Sequence, residues 1–185
     1  MTVIETPRTW LRPLVTADLD NLAQIYGEPE VMKYRLISEP ASRKQTQEML
    51  ESYLAHWKQH GFGRWATVYK PHKRLIGHCG LEYLAILDEI EVNYLLARKY
   101  WGQGLATEST VALLRYGFES LQFERLVALA KPENLASRRV MEKTGMQYEK
   151  NVQLYGVEWV FYTLTLPCRH ARGFYTHPSY LLKQA

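Results

Sequence analysis

Two glycines stand at the centre of the stretch Ala97-Arg98-Lys99-Tyr100-Trp101-Gly102-Gln103-Gly104-Leu105-Ala106-Thr107-Glu108. An extended run over residues 90–96 precedes this stretch, and an amphipathic helical run over residues 103–120 follows it. Glycine has no Cβ, so the backbone can turn sharply there and a ligand can approach it closely. A helix that begins at such a turn has N–H groups without intrahelical partners, at the positive end of its dipole. The stretch therefore predicts a phosphate or pyrophosphate site built from backbone.

Composition limits the class of protein. A chain of 185 residues with 46% hydrophobic and 23% charged residues is typical of one globular domain. The net charge of +4 suits an anionic cofactor, but it does not indicate direct nucleic-acid binding. No apolar run reaches the ~20 residues of a membrane span, and the N-terminus lacks a signal-peptide pattern. Cys79 and Cys168 lie far apart and form no disulfide framework, so we expect a reduced, cytoplasmic protein without membrane association.

Hydrophobic periodicity predicts the element order β-α-α-β-β-β-α-β-α-β-β. Three consecutive antiparallel strands followed by strand-helix-strand crossovers imply an α/β fold with one mixed sheet and helices on both faces. We expect a single domain over residues 1–166 and a C-terminal tail over residues 167–185. A long loop, residues 27–40, is expected to border the binding site. The predicted strands are 8–14, 64–69, 74–83, 86–96, 124–130, 146–152 and 157–166, and the predicted helices are 18–26, 43–60, 103–120 and a short one after Asn134.

One pair of histidines raises the possibility of a metal site. His56 and His60 lie one turn apart on the predicted helix over residues 43–60. Metal sites with this spacing usually carry a glutamate after the first histidine and a third ligand elsewhere, and neither is visible here. We therefore interpret both as surface or hydrogen-bonded histidines and predict no metal.

Two general phosphate-binding motifs fit the glycine turn poorly. A Walker-type loop needs Lys followed by Ser or Thr after its final glycine, but Gly104 is followed by Leu105 and Ala106. A dinucleotide-binding fingerprint needs a third glycine where Thr107 stands, and it usually opens the fold. The first interpretation is rejected and the second is a weak alternative.

A family resemblance explains the turn better. Trp101-Gly102-Gln103-Gly104-Leu105-Ala106 resembles the GNAT acetyltransferase loop Gln/Arg-x-x-Gly-x-Gly/Ala, with Trp101 in place of Gln or Arg. This form is similar to the branch that contains the ribosomal-protein N-terminal acetyltransferases. The segment from Asn134 to Met146 resembles that branch's Asn-x-x-Ser helix, and Glu89-Ile90-Glu91-Val92-Asn93-Tyr94 resembles its Glu-Ile-Gly-Tyr strand. Three motifs in the right order extend the resemblance over residues 9–166.

The resemblance implies a GNAT-like, mostly antiparallel sheet in which the strands over residues 90–96 and 124–130 splay apart. Acetyl-CoA would lie in that gap, with its pantetheine amides against the main chain near Leu95 and Leu96. Asn134 would hydrogen-bond the pantetheine arm, although the same residue is also a good helix cap. A homodimer is an expectation from the resemblance alone. The pyrophosphate would be held by the backbone N–H groups of Gly102, Gln103, Gly104, Leu105 and Ala106.

Transfer from a thioester to an amine needs a base and a proton for the departing thiolate. Glu91 is the predicted base because it stands mid-strand beside the implied thioester; Glu82 is the reserve, and a purely structural role for Glu91 is equally open. Many relatives carry a Tyr where this chain has Met141, so Ser137 is the candidate partner of the sulfur, unless it only stabilises the first helical turn. Cys79 lies within a predicted strand and is not expected to act as a nucleophile.

The implied function is N-acetylation of an amine by direct attack, with a peptide or protein N-terminal amine as the favoured acceptor. A small-molecule amine (polyamine, aminoglycoside or amino acid) is a close alternative, and a non-catalytic acyl-CoA-binding module is the alternative from another class. Residue types alone do not identify the acceptor. Candidate acceptor contacts are Tyr34, Arg35 and Tyr155, and candidate contacts for the remaining CoA phosphate are Arg98, Lys99 and Arg138.

Overall fold

The computed structural model describes residues 3–165 and the backbone of residues 181–183. The helices are α1 (Leu19–Tyr26), α2 (Pro29–Met32), α3 (Arg43–His60), α4 (Leu105–Glu119) and α5 (Leu135–Lys143). The strands are β1 (Val3–Glu5), β2 (Thr9–Pro13), β3 (Arg64–Tyr69), β4 (Arg74–Leu84), β5 (Glu89–Leu96), β6 (Arg125–Ala130), β7 (Gln147–Leu154), β8 (Val157–Thr165) and β9 (Leu181–Lys183).

These strands form one sheet in the order β7-β8-β6-β5-β4-β3-β2-β1-β9. Every neighbouring pair is antiparallel except β5 and β6, which run parallel and are joined through α4. The predicted mixed, mostly antiparallel sheet is therefore confirmed. Strands β1 and β9 were not predicted, since each is only three residues long. The rest of the predicted tail lies outside the described residues.

The sheet carries helices on both faces, as predicted. Successive residues of a strand point to opposite faces of the sheet, so two buried neighbours in sequence pack into different layers. On β3, Trp65 packs into the layer that contains α4, whereas Ala66 packs into the layer formed by α1 and α3. Strand β5 divides its side chains in the same way, with Val92 in the first layer and Leu95 in the second.

Local signals set several element boundaries where they were expected. Helix α3 begins after a reciprocal capping box, in which Gln45 N–H donates to Ser42 Oγ at 3.3 Å and Ser42 N–H donates to Gln45 Oε1 at 2.8 Å. The helix ends at Gly61, which adopts a left-handed conformation with φ 75°. The predicted bounds 43–60 are confirmed for that reason.

Other boundaries differ from the prediction. The loop over residues 27–40 contains α2, which begins at Pro29, a residue well suited to a first helical turn. Strand β5 begins at Glu89 rather than at residue 86, because Asp88 takes φ 53° within the turn after β4. The sequence also predicts that Trp10 and Leu14 face inward: Leu14 is buried, whereas Trp10 is only partly buried and its neighbour Leu11 is fully buried instead.

The parallel pair β5–β6 opens beyond a single position. Glu91 is in register with Val127, and no further residue of β5 pairs with β6 in the described sheet. The strands therefore splay from Glu91 toward their carboxyl ends, as the resemblance implied. On the other side, β4 approaches β5 so closely that a Cβ on Gly77 would lie 2.0 Å from the Leu95 carbonyl oxygen. This position requires glycine. No helix among the described residues is long and apolar enough to span a membrane.

Candidate active site

A cleft of about 750 Å³ extends from the splay to the glycine turn. It brings together residues that are distant in sequence, from the segment after α2 to the β7–β8 hairpin. Gln103 does not line it, and its role stays a prediction. The other predicted site residues all do so: Glu91, Leu95, Leu96, Gly102, Gly104, Leu105, Ala106, Asn134 and Ser137.

The turn presents backbone donors to this cleft. Gly102 and Gly104 have φ values of 72° and 76°, in the left-handed region that disfavours other residues. Gly104 immediately precedes α4, which is why the helix begins at Leu105 and not at residue 103. Among the described residues, the N–H groups from Gly102 to Ala106 find no protein acceptor. Unpaired donors at a helix N-terminus are what a pyrophosphate requires, so the turn fits the implied cosubstrate.

A hydrogen-bonded brace between Arg8 and the buried Glu108, which the sequence analysis missed, holds the turn from behind. The Arg8 guanidinium donates to the Gln103 carbonyl oxygen at 2.8 Å and to the Glu108 carboxylate at 2.7 Å. Glu108 also accepts from the Thr6 hydroxyl at 2.6 Å. Since Glu108 is 8% exposed, these hydrogen bonds replace the water that its side chain loses on burial. The sequence signal that could have revealed this brace is a carboxylate, Glu108, in the first turn of an otherwise buried helix.

The wall formed by α5 combines a cap with cationic residues. Asn134 Oδ1 accepts from Ser137 N–H at 3.1 Å, and this capping bond leaves the Asn134 amide NH₂ for a ligand. Arg138, a predicted phosphate contact, instead donates to Pro132 O at 3.2 Å and does not line the cleft. Arg139 and Lys143, one helical turn apart, line it in its place. The helical register, which the sequence analysis did not resolve, decides between Arg138 and Arg139.

Glu82 and Glu91 are direct cross-strand neighbours on β4 and β5, and their carboxyl groups behave differently. Burial raises the pKa of Glu91 to about 7; the Arg64 guanidinium opposes this rise and the Glu82 carboxylate adds to it. Burial would also raise the pKa of Glu82, but its ion pair with Arg64 outweighs that effect and holds the pKa below its usual value. Two adjacent carboxyls with separated pKa values are the arrangement expected where one serves as a base.

Arg64 is held by a buried polar network that the sequence analysis did not identify. Its guanidinium donates to Tyr53 Oη at 3.0 Å and to His78 Nε2 at 3.1 Å, besides pairing with Glu82. Because His78 Nε2 accepts, Nδ1 carries the proton, and Nδ1 lies 2.7 Å from Tyr26 Oη. Burial, and next the Arg64 charge, lowers the pKa of His78 well below its usual value, so the ring is neutral. These residues come from four elements, α1, α3, β3 and β4, and share no sequence motif.

Ser137 is already engaged by a tyrosine. Tyr94 Oη lies 2.9 Å from both the Ser137 carbonyl oxygen and Ser137 Oγ. If Tyr94 donates to the carbonyl, the Ser137 hydroxyl donates to Tyr94 in turn. Burial raises the pKa of Tyr94, so its phenol stays protonated at neutral pH. Tyr94 lines the cleft beside Ser137 and belongs to the site as well.

The remaining lining combines aromatic, apolar, polar and charged side chains. Tyr34, Arg35 and Tyr155, the candidate acceptor contacts, all line the cleft. Leu36 and Ile86 also line it and are 43% and 53% exposed. His56, by contrast, lies elsewhere: its Nδ1 bonds Phe62 O and its Nε2 accepts from Tyr83 N–H, both at 3.0 Å. His56 is thus hydrogen-bonded, as interpreted, and the described residues contain no cluster of three potential metal ligands.

Comparison with known proteins identifies the family. The family model described as an acetyltransferase (GNAT) domain matches residues 8–147. The chain is also 34% identical over 155 residues to the uncharacterized protein YkkB of Bacillus subtilis (strain 168), covering 82% of this chain and 89% of that protein. The chain therefore belongs to the GNAT acetyltransferase family, and it is an acetyl-CoA-dependent N-acetyltransferase.

Solved structures agree on the fold. The acetyltransferase from Agrobacterium tumefaciens str. C58 superposes with a TM-score of 0.79 at 26% identity, covering 90% of this chain and 95% of that chain. RimL, a ribosomal L7/L12 alpha-N-protein acetyltransferase solved in complex with coenzyme A, gives a TM-score of 0.75 at 16% identity, covering 89% and 98%. Similarity at 16% identity shows a shared fold and no more.

Proposed function

We propose that the chain transfers the acetyl group by direct attack of a primary amine, and that the favoured acceptor is the N-terminal amine of a peptide or protein. The observation that carries the proposal is the Glu91 carboxyl, which lines the cleft where β5 and β6 begin to splay and has a pKa raised to about 7. A base with a pKa near neutrality is suited to deprotonating an ammonium group at physiological pH.

Glu91 is the proposed base in preference to Glu82. The Glu82 carboxylate forms an ion pair with Arg64, which lowers its pKa. Glu82 is therefore a poor proton acceptor at neutral pH. Glu91 has no such ion pair among the described residues, and a backbone hydrogen bond from Leu129 favours its ionised form. Because its pKa is near neutrality, Glu91 could therefore both accept the proton of the amine and release it again to solvent.

The cosubstrate would be held by the glycine turn, by α5 and by the main chain of β5. Bound acetyl-CoA supplies the acetyl thioester that the amine attacks. The N–H groups from Gly102 to Ala106 would bind its pyrophosphate, and the cationic side chains of Arg139 and Lys143 would meet its remaining phosphate. The Asn134 amide NH₂ and the β5 main chain at Leu95 would contact the pantetheine arm. The Leu96 carbonyl is less available, since it accepts from Trp101 Nε1 at 2.7 Å.

Ser137 and Tyr94 would assist the departing thiolate as a pair. Their hydroxyl oxygens lie 2.9 Å apart, so when Ser137 gives its proton to the sulfur, Tyr94 can turn its O–H from the Ser137 carbonyl to Ser137 Oγ and replace that proton. A peptide acceptor is favoured over a polyamine because the Arg35 guanidinium, which has no ion pair among the described residues, lines the cleft close to Glu91. A polycation would be repelled there. A homodimer stays a prediction from the resemblance.

The deciding experiment follows release of free CoA thiol from acetyl-CoA with two acceptor pools at equal amine concentration. One pool contains peptides with free N-termini, and the other contains a polyamine, an aminoglycoside and amino acids. Release with peptides, and acetyl groups located on their N-termini by mass spectrometry, is the expected result. Release with small amines alone would move the acceptor to the second class. Acetyl-CoA binding with no release in either pool would favour the non-catalytic module.

A further inference from the structure

Arg35 is an unusual arginine in this molecule. It lies three residues after the end of the short helix α2, where its N–H donates to the Met32 carbonyl oxygen at 2.8 Å, and it lines the cleft. The residue is partly buried, yet within the described chain its guanidinium has no hydrogen bond or ion pair. Arg12 and Arg125, by contrast, hold carboxylates at 2.6 to 2.9 Å. A partly buried guanidinium without a partner forfeits hydration and gains no bond in return.

The surroundings of Arg35 show what it can bind. Its charge is close enough to lower the pKa values of Glu82, Glu91 and His78, so it lies beside the proposed base. Glu82 is already paired with Arg64 and cannot neutralise a second cation fully. We define the charged cluster as Arg35, Arg64, Glu82 and Glu91. Within this cluster, Arg35 is therefore the cation that is left for a ligand.

We propose that Arg35 binds a carboxylate carried by the acceptor close to its reacting amine. The inference rests on the proposed N-acetyltransferase function and adds the acceptor's second charge. The amine would approach the Glu91 carboxyl while the carboxylate meets the Arg35 fork in a bidentate pair. A doubly charged phosphate would suit the site less well, because Glu82 lies nearby and so does Glu91, which is ionised until it accepts the amine's proton.

Exposed apolar side chains line the same cleft as Arg35. Leu36, the next residue after Arg35, and Ile86 both line the cleft while exposing about half of their surface. Tyr155 lines it too and is 67% exposed. Apolar surface at a polar cleft marks a place where a ligand is covered. The acceptor thus combines an amine, a carboxylate and an apolar body, which describes either a free apolar amino acid or a peptide whose N-terminal residue precedes Asp or Glu.

The test compares acceptors that differ only in the carboxylate. The first pair is L-leucine and L-leucinamide; the second is a C-terminally amidated hexapeptide beginning Met-Asp and its Met-Asn counterpart. Free thiol release gives kcat/KM for each acceptor, measured at saturating acetyl-CoA and corrected for the amine's own pKa. In the wild-type protein at least one carboxylate acceptor should exceed its amide by tenfold or more, and the pair that does so identifies the source.

Two variants locate the effect. Arg35→Gln should remove the preference for the carboxylate acceptor, mainly through KM, while acetyl-CoA affinity stays unchanged. Lys33→Gln is the matched control, because Lys33 is exposed, precedes Arg35 by two residues and does not line the cleft. It should keep the full preference. Equal kcat/KM for acid and amide in both wild-type pairs, or an equal loss for acid and amide in Arg35→Gln, would overturn the inference.

A binding measurement separates this inference from the proposed function. Calorimetry in the presence of CoA, without turnover, measures the affinity for L-leucine and for the Met-Asp peptide in wild-type protein and in Arg35→Gln. An affinity that falls tenfold in the variant supports the carboxylate site even if no acetyl transfer is detected. Absence of binding, or binding that Arg35→Gln leaves unchanged, contradicts it even if other amines are acetylated.

Discussion

The glycine turn and the charged cluster line one cleft but are built in different ways. The turn is a run of consecutive residues, Gly102 to Ala106, that offers backbone N–H groups fixed by the start of α4. The charged cluster gathers side chains from the segment after α2 and from β3, β4 and β5. Backbone donors do not titrate, whereas the carboxyls of the cluster do. We therefore expect the first region to bind acetyl-CoA independently of pH, and the second to make the chemistry depend on pH and on neighbouring charges.

The largest expected effect lies in the charged cluster. Glu91→Gln should lower kcat by about 10²–10⁴-fold, the usual contribution of a general base, with little change in acetyl-CoA affinity. In wild-type protein kcat/KM should rise with pH and level off above about 7, because only the ionised carboxylate accepts a proton. Stopped assays across pH 5.5–9 measure both.

Glu89→Gln is the control for that substitution. Glu89 lies two residues away on β5, pairs with Arg125 at 2.9 Å and does not line the cleft. Its loss should leave kcat within about twofold, as expected for a partly exposed ion pair. A Glu91→Gln enzyme with wild-type turnover and pH profile would assign Glu91 a structural role.

Arg64 should affect both stability and the pH profile. Arg64→Met leaves Glu82 partly buried without its counter-ion and should destabilise the fold by about 3 kcal/mol. Because the Arg64 charge lowers the pKa of Glu91, its removal should move the rise in kcat/KM to higher pH. Arg64→Lys keeps the charge and should retain most of the wild-type profile. An unshifted profile in a folded Arg64→Met protein would separate Arg64 from the base.

The turn is tested by two glycines with the same backbone conformation. Gly104→Val should weaken acetyl-CoA binding roughly 100-fold, about 2.7 kcal/mol, because a β-branched residue disfavours φ 76° and crowds the donors. Gly61→Val meets similar strain at φ 75° at the end of α3, outside the cleft. Both should lose roughly 1–2 kcal/mol of stability. If the two variants bind acetyl-CoA equally well, the pyrophosphate site lies elsewhere.

Glu91 also links the charged cluster to stability. Its pKa in the folded protein is raised above the unfolded value, so the folded state binds the extra proton. The associated stability is complete below about pH 4.3 and is lost as pH rises toward 7. At pH 8, the free energy of unfolding of Glu91→Gln should therefore exceed that of wild type by about 1 kcal/mol. The variant should accordingly unfold at a higher denaturant concentration. Equal midpoints at pH 8 would argue against a raised pKa.

The smallest effect is expected at Ser137. Ser137→Ala removes one partner of Tyr94, which keeps its bond to the residue-137 carbonyl. The substitution should slow transfer only several-fold, about 1 kcal/mol in the barrier, and leave acetyl-CoA affinity unchanged. Tyr94→Phe should slow transfer similarly if the two hydroxyls act together. A wild-type rate in both variants would restrict the pair to positioning α5.

The sequence predicted elements well where the signal was local. The capping box at Ser42 fixed the start of α3, and the glycines of the turn indicated both a helix start and a ligand. Prediction was wrong where burial depended on distant neighbours, as at Trp10, which leaves Leu11 to face the core. The three candidate phosphate contacts Arg98, Lys99 and Arg138 do not line the cleft, whereas Arg139, the next residue along α5, does.

By itself the sequence predicted the order of the longer elements and the family, and it indicated a backbone site at residues 102–106 that stays a prediction. Each depends on residues close together along the chain, where periodicity, capping and glycine conformation act directly. Only the tertiary structure decided which carboxyl is paired and which has a raised pKa. That outcome depends on Arg64, on a buried network reaching Tyr26, and on the unpaired Arg35, which folding places beside Glu91. Electrostatic energies depend on separation and burial, and neither can be read from a linear sequence.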